Sequence, residues 1–202
     1  MTPSEIQTLR DRSAIGWLRE RDIDLLLCAE LHAPGDMRDY FASLWPDDNM
    51  QFVGAWVSHT EINGETDLVI EFQSNEAHFV IFAENKVAAN FQPDQAARYA
   101  ERADRWRRNA NVNVKTVLLC PREYLLRPAR SDFDATIDYE TMVEALCNSH
   151  DQRSIFLARA LAEGIASYRR GYVAVPDLAV TGIWEGIWRA ASGNHPSLNM
   201  EK

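Results

Sequence analysis

The spacing of apolar positions changes along the chain, and each change marks a different kind of element. Ile6, Leu9, Ile15 and Leu18 follow helical spacing behind Ser4, which predicts a capped helix from Ser4 to about Glu20. Ile23, Leu26, Leu27 and Leu31 carry the same period over Asp22 to His32, where Pro34-Gly35 breaks it. Asp36 then caps a short helix through Met37, Tyr40, Phe41 and Leu44. From Gln51 the pattern turns extended. Gln51–Ser58, Leu68–Phe72 and His78–Ala83 read as strands, separated by turn signals at Asn63-Gly64 and Ser74-Asn75-Glu76. Connections that short predict a three-stranded antiparallel meander.

The helical period returns at Pro93-Asp94-Gln95 and runs to about Arg108, with Pro93 expected in the first turn. Lys115–Cys120 is a short apolar strand stopped by Pro121. It follows a helical crossover, so it is expected to lie parallel to a neighbour in the sheet. Tyr139–Cys147 and Ser154–Arg170 are predicted helices. The tail from Gly171, with Trp184 and Trp188, reads either as a packed extension or as the end of a piece cut from a longer chain.

Composition narrows the class. The chain has 202 residues, 46% of them hydrophobic, which suits one domain with a substantial core. Its apolar runs are shorter than a membrane span, and Met-Thr-Pro-Ser-Glu is no secretory leader. Cys28, Cys120 and Cys147 are odd in number and far apart, which argues against a zinc site or a disulfide framework. These features point to a reducing cytoplasm. A net charge of −9 weighs against a nucleic-acid binder, which usually shows a basic footprint. The objection is weaker for a site whose acids need a cation before phosphate can approach. There is no Gly-rich phosphate loop, Ser/His/Asp order or dinucleotide fingerprint.

The candidate chemistry lies in Gly64-Glu-Thr-Asp67, Ala83-Glu84-Asn85-Lys86 and Gln95-Ala-Ala-Arg-Tyr99. Residues i and i+2 of a strand share a face, so Glu84 and Lys86 project together while Asn85 faces away. Two carboxylates and an ammonium at strand ends suit a hard divalent cation and an anionic substrate. Glu84 interrupts an apolar strand, where a carboxylate without a partner is costly. The plainer readings make Asp67 a strand-end acid satisfied by backbone donors, and Lys86 a salt-bridge partner only. Gln95 and Tyr99 are neighbours on one helix face, serving either the site or an ordinary packed helix. Arg98, Arg102, Arg105 and Arg108 recur at helical spacing. They form either a solvated face paired with Glu101 and Asp104 or a track for a nucleic-acid backbone.

GxxD, ExK and QxxxY in this order resemble the active-site signature of the PD-(D/E)XK nuclease superfamily, and QxxxY that of its RecB-like branch. The resemblance runs from about Arg21 to Leu146. It implies an α/β fold with a restriction-endonuclease-like core, a three-stranded antiparallel meander plus a crossover strand, flanked by helices. One domain would span 1–202, with N-terminal helices over 1–50, the catalytic core over 51–120 and a C-terminal helical extension over 121–202. The implied activity is Mg²⁺-dependent phosphodiester hydrolysis, with Mn²⁺ as substitute, acting on nucleic acid, DNA foremost, in bacterial or phage defence or repair. Asp67, Glu84 and the Asn85 carbonyl would hold the metal, Lys86 would serve the attacking water, and Gln95 and Tyr99 would position the site. Glu30 would add an acid from an early helix, with His32 as its rival. The three cysteines cannot supply the four ligands of the iron–sulfur cluster that some RecB-like nucleases carry. Many relatives pair as homodimers. The competing reading is a binding or accessory protein that keeps the fold and no longer cuts.

Overall fold

The computed structural model describes residues 18–61, 64–75, 77–108, 111–126, 132–147, 149–170 and 178–195, with the backbone alone at 178–181. The helix expected from Ser4 falls mostly outside the described residues, as do Asn63 and Glu76 of the two predicted turns. The chain divides into two compact units, Met1–Gly171 and Tyr172–Lys202.

In the first unit, α1 (Glu20–Leu31) and α2 (Asp36–Ala42) precede three long strands, β1 (Gln51–Glu61), β2 (Gly64–Ser74) and β3 (Ala77–Asn85). Helix α3 (Gln95–Arg107) crosses to β4 (Val112–Cys120). A 3-10 turn (Arg122–Leu126), β5 (Ala135–Asp138), α4 (Tyr139–Leu146) and α5 (Gln152–Arg170) follow. The described part of the second unit contains one helix, α6 (Leu178–Asn194), in the tail whose structure the sequence left open.

The sheet runs β1-β2-β3-β4-β5. Strands β1, β2 and β3 form the antiparallel meander, while β4 lies parallel to β3 and β5 parallel to β4. The four-residue β5 was not anticipated, because it is too short to show a period. Pro93 lies before α3 rather than in its first turn, and the preceding Asp94 sits at φ +55°.

Strand alternation builds two cores. Leu68, Ile70, Ile81 and Ala83 face one way and pack with Ile23, Leu27 and Leu31 of α1. Val69, Val80, Phe82 and Leu118 face the other way and pack with Ala96, Tyr99 and Ala103 of α3. Helices α1 and α3 therefore cover opposite faces of the same sheet. Strand β3 is buried on both sides, so Phe79–Ala83 reads as continuous apolar sequence. Antiparallel pairing sets Leu68 against Ala83, which brings the start of β2 level with the end of β3. The sheet thereby delivers Asp67 and Glu84 to one rim, between the two helices.

Candidate active site

A cleft of about 360 Å³ opens at that rim. Its floor is acidic: Asp67 from β2, Glu84 from β3, and Glu20 and Asp24 from α1, with Lys86 just beyond the end of β3. Gly64 enters β2 at φ +118°, a conformation that favours glycine, and so sets the chain direction three residues before Asp67. The Lys86 N–H donates to the Leu119 carbonyl at 2.8 Å, extending the parallel ladder one residue past β3. That bond fixes the backbone from which the ammonium projects.

Glu84 is the hub of the site. It is 1% exposed, and its Oε1 accepts from Lys86 Nζ and from Gln95 Nε2, both at 2.6 Å. Tyr99, also buried, accepts the Asp67 N–H on its hydroxyl at 3.1 Å and donates to the Ala83 carbonyl at 3.4 Å. The two QxxxY side chains thus reach the two carboxylate-bearing strands. A buried ring of this size contributes roughly 1.5–3 kcal/mol of burial besides those bonds, so Tyr99 serves core and site together.

Asn85 ties the remaining acids in place from the opposite side of β3. Its N–H donates to Asp67 Oδ2 at 2.9 Å, and its side-chain amide donates to Asp24 Oδ1 at 2.9 Å. The Tyr139 hydroxyl donates to the Asn85 side-chain oxygen, which fixes the amide orientation. The Asp67 and Asp24 carboxylates each accept through one oxygen, with no further side-chain hydrogen bond among the described residues.

The electrostatics follow from this crowding. Burial, and next the charge of Glu84, push the Asp67 carboxyl from 3.8 up to about 7, against the pull of the Asn85 N–H and Lys86. Burial and the Asp67 charge push Asp24 up to about 8. Burial opposes the charged form of Lys86, but Glu84, Glu20 and Asp67 outweigh it, so the ammonium keeps its proton above its usual range. One fully engaged ammonium therefore faces a cluster of carboxylates that resist ionising together.

The donor set suits a hard divalent cation, which would relieve that repulsion through oxygen ligands. Among the described residues, no group of three or more acids, histidines or cysteines is already drawn into a ligating set. The carboxylates are held by Asn85, Gln95 and Lys86 instead.

Other expected residues lie elsewhere. Glu30 accepts from Arg153 Nε at 2.7 Å and from Ser154 Oγ at 2.6 Å, inside the α1–α5 packing and not in the cleft. The extra acids from α1 are Asp24 and Glu20, one helical turn apart and hence on one face, a spacing that could have flagged them. His32, the rival of Glu30, contacts the Ala55 carbonyl at 3.0 Å instead. Arg102 is 1% exposed, donates to Thr66 Oγ1 and the Glu65 carbonyl, and stacks over Tyr99. It lines the cleft wall and fastens α3 to the start of β2. Arg105 pairs with Glu61 at 3.1 Å. Arg98 lines the cleft, joined by Arg21 and Ser58, which the motifs did not single out.

The profile of the PD-(D/E)XK nuclease superfamily matches residues 38–169, a span that carries Asp67, Glu84, Lys86, Gln95 and Tyr99. The chain belongs to that superfamily. Its five-stranded sheet with flanking helices is consistent with the restriction-endonuclease-like fold of this PD-(D/E)XK protein. No curated protein and no solved structure matches the chain. Among the described residues no helix is long and apolar enough to cross a membrane.

Proposed function

We propose that this PD-(D/E)XK protein is a divalent-metal-dependent nuclease that hydrolyses phosphodiester bonds, DNA being the favoured substrate. One observation carries the reading. The buried Glu84 carboxylate, bonded to both Lys86 and Gln95, shares a cleft with Asp67 and Asp24, whose carboxyls burial and mutual charge hold near neutral pH. A stable fold gains nothing from such crowding unless a cation enters. Asp67, Glu84 and the Asn85 carbonyl would hold Mg²⁺ or Mn²⁺, with Asp24 supplying the helix acid in place of Glu30. When bound, the cation supplies Lewis-acid stabilisation of phosphoryl charge and lowers the pKa of its water.

The chain's own groups divide the remaining work. Lys86, protonated beside Glu84, orients the attacking water and offsets charge on the phosphoryl group rather than acting as a base. Gln95 fixes the Glu84 rotamer, and Tyr99 fixes the strand end that bears Asp67. These contacts from one QxxxY helix support a RecB-like assignment. A cytoplasmic defence or repair role fits the free cysteines, and a homodimer would let paired sites cut both strands.

The test is cleavage of plasmid and of linear single-stranded DNA by wild type and Asp67→Ala, with Mg²⁺ and with EDTA, alongside Mn²⁺ calorimetry. Wild type is expected to cut and to bind Mn²⁺, and EDTA or the substitution to abolish both. Absence of cleavage and of metal binding in both proteins would instead mark a non-cutting binding or accessory protein.

A further inference from the structure

Cations of the cleft come in two kinds. Lys86 is engaged by Glu84 at 2.6 Å and lies 3.9 Å from Glu20. Arg21 and Arg98 line the same acidic cleft, yet among the described residues neither forms an ion pair. Each leans on neutral acceptors. Arg21 Nη1 donates to the Ser58 hydroxyl at 2.7 Å, and Arg98 donates to the Pro93 carbonyl and Gln92 Oε1. Neutral acceptors orient a guanidinium without cancelling its charge. Some arginines away from the cleft are paired, Arg153 with Glu30, Arg169 with Glu123 and Arg170 with Glu163, while Arg38 rests on the Leu31 carbonyl.

Ser58 adds an independent observation. It lies within β1 at φ +55°, in the left-handed region that serine rarely adopts inside a strand. The ladder pairs Val57 with Leu68 and His59 with Thr66, so Ser58 stands level with Asp67. Backbone strain of this kind collects at functional sites, and here it falls on the residue that seats Arg21. Because α1 and α3 cover opposite faces of the sheet, Arg21 and Arg98 approach the acidic floor from two sides.

We propose that Arg21, seated by Ser58, binds a phosphate of the polynucleotide backbone. Arg98 takes another on the far side of the Asp67–Glu84–Lys86 floor. The proposal rests on the nuclease reading above and gives it a strand path, from α1 across the floor to α3. A planar guanidinium fork suits a phosphate better than a point charge does. Such a clamp also shows how a chain of net charge −9 can attract a polyanion locally.

The experiment measures steady-state cleavage of a fluorescein-labelled single-stranded oligonucleotide with Mg²⁺. It also measures anisotropy titrations with Ca²⁺, to read binding apart from turnover, over about 50 to 200 mM salt. Arg21→Gln is expected to raise KM and Kd roughly tenfold with kcat little changed, and to lower the salt slope by about 0.7, one single-strand phosphate contact. Arg21→Lys should recover the slope but not the full affinity. Ser58→Gly, which keeps the left-handed backbone and drops the hydroxyl, should raise KM with an intact slope. Arg170→Gln, which removes an arginine paired on α5, serves as the charge control and should match wild type. If wild type cuts while Arg21→Gln tracks Arg170→Gln, the clamp is wrong and the nuclease reading stands. A loss confined to kcat in Arg21→Gln also overturns it. A wild type that neither binds nor cuts removes the nuclease reading and the clamp together.

Discussion

Glu30 and Asp24 are buried carboxylates on the same helix, 2% and 5% exposed, and their surroundings differ in kind. Glu30 has a guanidinium on one oxygen and a hydroxyl on the other, both from α5. Asp24 has one amide bond and three neighbouring acids, Asp67, Glu84 and Glu20, and its carboxyl titrates near 8. Burial alone therefore does not decide how a buried acid behaves; the completeness of its partner set does. Where the partners are complete, the acid joins two helices. Where they are incomplete, the carboxyl resists ionising.

The sharpest way to break this contrast is by activity. Asp67→Ala or Glu84→Ala is expected to cut nuclease turnover by about a thousandfold or more, whereas Glu30→Gln should leave it near wild type. Equal losses in a plasmid-nicking assay would erase the distinction.

Acidity gives the next largest effect. In the unfolded chain aspartates titrate near 3.9, whereas Asp67 and Asp24 titrate at about 7 and about 8 when folded. Between those values the folded protein holds more protons than the unfolded one. Its metal-free stability should therefore fall as pH rises from about 4 to about 8, then level off. Melting curves in EDTA across that window read the decline, and Mg²⁺ or Mn²⁺ should flatten it. A flat profile in EDTA would contradict the crowding.

Stability of single variants comes third. Glu30→Ala strips partners from Ser154 and Arg153 and should cost about 2 kcal/mol, while Asp24→Asn, relieved of repulsion, should raise the denaturation midpoint. Chemical denaturation checks the opposite signs. Smallest is Tyr99→Phe, which leaves the Asp67 N–H without its acceptor. It should cost about 1 kcal/mol and lower activity roughly tenfold, readable by pairing melts with kinetics.

Much of the frame was legible from local pattern. The two-residue repeat of strand geometry put Glu84 and Lys86 on one side and Asn85 on the other, and Gly64 begins β2 where the sequence offered a turn signal. Gln95 and Tyr99, four apart, fell on one helix face and reach Glu84 and the Asp67 N–H. Less legible was the helix acid. Glu30 lies six residues beyond Asp24, about 240° round the helix, so only one of them can face the sheet rim. The arginine run divided as well: its period put Arg98, Arg102 and Arg105 near one another, and packing then buried Arg102 beneath Thr66 and Glu65.

By itself, the sequence determined the longer elements up to Arg170 and the strand-end trio, because side-chain direction along a strand or helix repeats over two to four residues and needs no distant partner. Only the tertiary structure decided which acids stay unsatisfied. Asp24 meets an amide 61 positions away and Glu30 meets a hydroxyl 124 positions away. Contacts at such separations depend on how helices cross the sheet, and it is those contacts, through burial and charge, that tune the carboxylates of the cleft.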